Sequence, residues 1–248
     1  MTRFVLVHGA FHGAWCWELL IGELHDAGHT AIAIDLPGAG DDTTPVAEVT
    51  LDAYAERVCG ALGTDDAPAI LVAHSMGGIA ITQAAARCPA RIAALVYVAA
   101  FLPADGQSLV DLTQLPEGAG DMVQANMVVD GDPPIATMPR DVAGEAFYGT
   151  CPDDRAAWGV ERIRPQPLAP FVTPVSLGDG AQAGHPRYYV VAARDRAIPP
   201  ALQRRMAREG ATAEVVELDT DHSPFLSAPA ELARLLERFA AASLASAE

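Results

Sequence analysis

The sequence predicts an α/β fold: a mostly parallel sheet of about six strands with helices on both faces and a small helical cap insertion. Three observations carry this. Short apolar runs alternate with helical patterns along most of the 248 residues. These runs are continuously apolar, as strands buried on both faces are, rather than alternating between apolar and polar. The regular rhythm breaks once, between Pro103 and about Pro174, in a proline- and glycine-rich stretch too long for a plain loop.

In chain order, residues 4–8 form a short apolar run with strand character, followed by a glycine-containing loop, residues 9–13. Residues 15–27 place Trp17, Leu20, Ile21 and Leu24 at helical spacing, and Gly28 stops the pattern. Residues 30–34 predict a second strand that closes on the turn cluster Asp35-Leu36-Pro37-Gly38. Thr50 is placed to cap a helix over residues 51–62, with Asp52 in its first turn. A fully apolar strand from Ile70 turns at His74-Ser75 into a helix that stops before Pro89, and residues 92–99 give another strand.

The interrupted stretch carries amphipathic pieces at 142–148 and 155–163. Its Met122, Met127, Phe147, Tyr148, Trp158 and Phe171 argue for packing rather than disorder. It reads as a cap (residues 103–174) over the carboxyl edge of the sheet, where open α/β sheets bind ligands. Residues 1–102 and 175–248 then form the core domain. Regularity resumes with a strand at 188–193, a helix opened by Pro199-Pro200 and ended at Gly210, and a last strand at 212–218. Ser227 is placed to cap a final helix whose buried stripe is Leu232, Leu235, Leu236 and Phe239.

Composition narrows the function classes. The net charge of −16 repels nucleic acid and anionic membrane surfaces. All 16 basic residues are arginine, so lysine Schiff-base chemistry is excluded. No apolar run reaches membrane-spanning length, and the N-terminus enters a strand pattern directly, which suggests a cytoplasmic protein. Cys16, Cys59, Cys88 and Cys151 lack C-x-x-C spacing and are expected to be reduced core residues. The i,i+4 pairs His8/His12 and His25/His29 lack the glutamate of a zinc-protease helix, so no metal site is expected.

The chemistry centres on residues 70–78, I-L-V-A-H-S-M-G-G. A buried strand turning sharply into a helix with a serine at its apex is a nucleophile elbow, whose strained turn needs small neighbours. Gly77 meets that need, and Ala73 stands where glycine is usual. A serine nucleophile needs a base, and the base an orienting acid, arriving in the order Ser, Asp, His on loops after strands. Ser75, Asp195 and His222 have that order and placement, with 27 residues between acid and base for one helix and one strand. Asp219 and Asp221 are weaker candidates for the acid because neither ends the strand expected to carry it. The oxyanion formed in acyl transfer needs two backbone N–H donors. Met76 supplies one, and Ala10, with Phe11 as alternative, the other. His74 is expected to shape the elbow and His8 to be a structural hydrogen-bonder. Phe11, His74, Met122, Met127, Phe147 and Trp158 are the candidate pocket residues.

F-V-L-V-H-G-A-F-H-G-A-W-C-W at Phe4–Trp17, A-H-S-M-G-G at Ala73–Gly78, A-A-F-L-P at Ala99–Pro103, R-D-R-A-I-P at Arg194–Pro199 and D-H-S-P at Asp221–Pro224 together carry a resemblance. The chain resembles one branch of the α/β-hydrolase superfamily: plant methylesterases, hydroxynitrile lyases, and bacterial relatives acting on pyrethroid esters or aryl carbamates. The resemblance implies an α/β-hydrolase fold with a small helical cap, a Ser75/Asp195/His222 triad, Ala10 and Met76 as oxyanion donors, and no cofactor. Family members are often dimers, so a homodimer is also an expectation. The lyases carry threonine after the first-strand histidine and lysine after the catalytic one; this chain has Gly9 and Ser223 there. Hydrolysis of small, apolar carboxylic esters is therefore the expected activity. Carbamate, amide or lyase chemistry at the same site is the alternative among enzymes, and a non-catalytic small-molecule receptor the alternative outside them.

Overall fold

The computed structural model describes residues 1–63, 67–178 and 184–245. Six strands build one sheet: β1 (Arg3–Val7), β2 (Thr30–Ile34), β3 (Ala69–Ser75), β4 (Ile92–Ala100) and, after an insertion, β8 (Arg187–Ala192) and β9 (Glu214–Leu218). Their spatial order is β2-β1-β3-β4-β8-β9, and every pairing is parallel. Central β3 is buried along its whole length, whereas edge strands β2 and β9 alternate towards solvent. That contrast follows position, since only interior strands have both faces covered.

Alternation along the strands divides the core into two layers. Val5, Val7, Leu71, Tyr97 and Tyr189 face helices α2 (Leu51–Ala61), α3 (Gly77–Arg87) and α9 (Pro200–Glu209). Phe4, Leu6, Val72, Val96 and Val190 face α1 (Glu18–Asp26) and α11 (Pro229–Ala245). The Thr50 hydroxyl accepts from the Ala53 N–H at 3.0 Å, capping α2 as its residue type predicts.

Several details depart from the sequence reading. Residues 15–27 are not one helix: a 3₁₀ turn, Ala14–Trp17, precedes α1. Ser227 ends a one-turn helix, α10 (Pro224–Ser227), and its hydroxyl donates to Asp221 Oδ1 at 3.0 Å. The Ala228 carbonyl accepts the first bond of α11, from the Leu232 N–H, so Ser227 is not that helix's cap. Cys59 and Cys88 are not reduced core residues: they form a disulfide joining the C-terminal ends of α2 and α3. Packing of two helices brings together thiols 29 positions apart, which spacing alone does not reveal. Cys16 and Cys151 are free.

Between β4 and β8 lie α4 (Leu109–Thr113), α5 (Met122–Asn126), α6 (Arg140–Phe147), α7 (Asp153–Arg162) and α8 (Ala169–Val172). A small antiparallel sheet joins them, in the order β5-β6-β7 (Val128–Asp130, Ile135–Thr137, Gln166–Pro167), so the insertion is not purely helical. Its two ends meet: the Gly106 N–H donates to the Val175 carbonyl, and the Val175 N–H to the Gln107 carbonyl, both at 2.9 Å. Among the described residues, no helix is long and apolar enough to cross a membrane.

Candidate active site

The strand order reverses at β1, which has β2 on one side and β3 on the other. In an open parallel sheet this leaves a crevice at the carboxyl ends of the two central strands, because their connections leave in opposite directions. Ser75 ends β3 and the loop 8–13 follows β1, so both open into this crevice.

Ser75 has φ 53°, a left-handed conformation that a non-glycine residue adopts only when its surroundings impose it. Close packing around the turn does so. A Cβ on Gly77 would lie 2.6 Å from the His8 carbonyl oxygen, and one on Gly78 2.0 Å from that of Phe101. Ala73 is buried between Val7 and Tyr97 on the neighbouring strands, so its methyl is accommodated. A Cβ on Gly9 would meet Ser75 Cβ at 2.6 Å and His74 Nδ1 at 2.8 Å. This backbone has no room for a threonine there.

The His222 Nδ1–H donates to Asp195 Oδ2 at 2.7 Å, with both side chains buried. Asp195 is held from three further directions. Its Oδ1 accepts from the N–H groups of Ala197 (2.7 Å) and Ile198 (2.9 Å), and Oδ2 accepts from Gln203 Nε2 at 2.7 Å. Asp219 is exposed and paired with Arg194. Asp221 is spent on structure, accepting from the Ser223 N–H, the Ser227 hydroxyl and the Thr150 N–H. Of the three acids, only Asp195 touches the imidazole. The His74 Nε2–H donates to the His222 carbonyl at 2.8 Å, and the two rings lie 4.4 Å apart. His74 thus ties the His222 backbone to the end of β3.

The loop after β1 is clamped by the insertion. The Tyr148 hydroxyl donates to His12 Nε2 at 2.8 Å, and His12 Nδ1–H donates to the Ala10 carbonyl at 2.8 Å. The Phe11 N–H donates to Gln166 Oε1 at 3.4 Å, and the Arg164 N–H to the Phe11 carbonyl at 2.9 Å. These contacts hold Phe11 at φ 64°. The Phe11 N–H is engaged, whereas no acceptor for the Ala10 or Met76 N–H is found among the described residues. Burial keeps His12 neutral, its pKa lowered to about 3. His8 is also shifted down by burial, donating from Nδ1 to the Gly9 carbonyl and accepting at Nε2 from the Leu36 N–H. It is the structural hydrogen-bonder its strand-end position suggests.

A cavity of about 230 Å³ opens onto Ser75, Ala10 and Met76. Of the candidate pocket residues, Phe11, Met127 and Phe147 line it, whereas His74, Met122 and Trp158 do not. His74 lies behind the elbow. The Met122 N–H is bonded to the Arg196 carbonyl, and Trp158 packs on Trp15 under the Arg162 guanidinium. Apolar walls come also from Leu109, Phe171 and Ile198, and one polar wall from Thr113, Gln114, Asp121 and Gln124. Sequence reasoning missed Gln203, Gln166 and Asp121. Gln203 left a trace, as an amide beside Leu202 on the helix face that Leu202 and Met206 bury.

Comparison with known proteins agrees with this fold. The sequence pattern of the alpha/beta hydrolase family matches residues 4–235, and the chain belongs to that family. It is 35% identical to methylesterase 7 of Arabidopsis thaliana, the alignment covering 94% of each chain. Methylesterase 18 of the same plant is 32% identical, over 94% of this chain and 95% of its own. Among solved structures, a pyrethroid hydrolase from Sphingobium faniae superposes with a TM-score of 0.88 at 27% identity, covering 97% of this chain and 98% of that one. Tomato methylketone synthase I, in complex with 2-tridecanone, superposes at 0.86 with 25% identity, over 98% of each chain.

Proposed function

We propose that this protein is a serine carboxylic ester hydrolase acting on small, mainly apolar esters, with Ser75, His222 and Asp195 as its triad. The His222–Asp195 bond, together with an elbow serine at φ 53° whose neighbour His74 holds the His222 carbonyl, is the observation that carries the reading. His222 Nε2 takes the Ser75 proton as Oγ attacks the ester carbonyl. Asp195 fixes the tautomer that leaves Nε2 free to accept, and stabilises the imidazolium that forms. The Ala10 and Met76 N–H groups receive the oxyanion, pre-aligned so that no reorganisation is needed as charge develops. His222 then protonates the departing alcohol, and water attacks the acyl-enzyme by the same route. Residues 103–174 act as the cap that closes the site over the substrate.

The cavity, at about 230 Å³, is smaller than the ~300–1,000 Å³ of most small-molecule sites, which favours compact esters. Gly9 and Ser223 favour hydrolysis over cyanohydrin cleavage, since neither the threonine nor the lysine of the resembled lyases is present. The test is turnover of p-nitrophenyl acetate and methyl phenylacetate by the native protein and by Ser75→Ala. The substitution should abolish turnover and prevent labelling by a serine-directed phosphonate. Equal rates in the two proteins would overturn the proposal; tight ester binding without turnover by either would identify a receptor.

A further inference from the structure

The cavity contains a carboxylate that the hydrolytic steps do not use. Asp121, 7% exposed, lines the same space as Ser75 and the oxyanion donors. Its Oδ1 accepts from the N–H groups of Val123 (2.7 Å) and Gln124 (3.0 Å), capping α5. Its Oδ2 accepts only from Gln124 Nε2, at 3.2 Å. That amide is otherwise committed: Nε2 also donates to the Thr113 carbonyl, and Oε1 accepts from Gln114 Nε2. Oδ2 therefore keeps acceptor capacity on a residue that lines the cavity, and no arginine pairs with Asp121 among the described residues.

Serine or asparagine would start such a short helix as well, without placing a charge in an apolar pocket. Burial in fact pushes the Asp121 carboxyl up from its ordinary range, offset in part by the hydrogen bonds from Gln124 and Val123 and, least, by His222. A buried carboxylate without a counter-ion attracts a hydrogen-bond donor and repels an anion. We propose that Asp121 is a specificity residue, selecting esters that bear a hydroxyl or amine donor opposite the scissile group and rejecting those that bear a carboxylate there. This rests on the ester-hydrolase reading and sharpens it from small apolar esters to esters with one donor group.

Three matched substrates test it: methyl phenylacetate, methyl 4-hydroxyphenylacetate and the monomethyl ester of 1,4-phenylenediacetic acid, with p-nitrophenyl acetate as the general reporter. The native protein should favour the hydroxyl ester over the carboxylate ester by about 10-fold or more in kcat/KM. Asp121→Asn and Asp121→Ser both retain a helix-capping side chain. In each, the carboxylate ester should gain about 10-fold relative to methyl phenylacetate and the hydroxyl ester should lose its advantage. A lost cap alone would lower all three substrates together. Ratios unchanged in both variants, or a uniform loss, would overturn the role of Asp121 while leaving the hydrolase reading intact. No turnover of p-nitrophenyl acetate by the native protein would overturn both.

Discussion

Acid should destabilise this protein earlier and more steeply than its carboxylates alone would. His8, His12 and His74 are buried, and burial lowers the pKa of each from the ordinary histidine value. In His8 and His12 one ring nitrogen accepts from a fixed donor, the Leu36 N–H and the Tyr148 hydroxyl respectively, so a second ring proton would face another proton. In the unfolded chain each histidine titrates near 6.5. Below that value the unfolded state binds protons that the folded state refuses, and stability falls with pH until the folded pKa is reached. For His12, at about 3, the loss is about 1.4 kcal/mol per pH unit once well below 6.5, or about 2 kcal/mol by pH 5. His8 and His74, shifted in the same direction by burial, add to that loss, which is set against the ~5–15 kcal/mol stability of a typical domain. Asp121, shifted upwards, works in the opposite direction but is a single group. Urea unfolding at pH 7.5, 6.0 and 5.0 measures the slope, and His12→Gln should remove about 2 kcal/mol of the loss between the extremes. A loss under about 2 kcal/mol between pH 7.5 and 5.0, or an unaltered slope in His12→Gln, would refute the reasoning.

Gln203→Leu should lower stability by about 2–5 kcal/mol, since it strips a donor from Asp195 and orphans the buried Ala192 N–H. Its kcat should fall about 10-fold with KM little changed, a loss of one charge-assisted bond; unaltered kcat would show that Asp195 does not need this support. Gly78→Ala should cost about 3 kcal/mol or more, because the added methyl meets backbone rather than a movable side chain; a thermal melt within 2–3 °C of native would contradict the packing. Reducing the Cys59–Cys88 bond frees a loop of 29 residues and should cost about 3–4 kcal/mol, read as a lower urea midpoint in dithiothreitol and no shift in a Cys59→Ser, Cys88→Ser protein.

The sheet was legible in the sequence because its interior strands are buried on both faces and advertise themselves as unbroken apolar runs. The boundaries of β2 and α2 follow from the turn cluster after Ile34 and from Thr50, both local signals. The Ser75, Asp195, His222 order is also a one-dimensional property. What the sequence did not reveal is set by tertiary neighbours. Whether Ser227 bonds forward to a helix or back to Asp221 depends on where the loop folds. Cys59 meets Cys88 only after two helices pack, and Gln203 touches Asp195 only because the loop 195–199 doubles back over α9. Within the insertion, Met122 and Trp158 have pocket-like side chains but turn away, whereas Asp121 turns in. A short helix distributes its residues all round, and composition carries no direction.

The bonds from Tyr148 and Gln166 to the loop after β1 make the roof of the site part of its electrical wiring. A lid hinged freely above the floor could lift for any guest and settle again without touching the chemistry. Here, raising the insertion would pull on Phe11 and Ala10, the stretch proposed to present an N–H to the oxyanion. A guest too bulky to let the roof seat would therefore be held and yet react slowly, so misfit is charged to kcat rather than to KM. Shape is read at the moment of bond breaking, not only at the door.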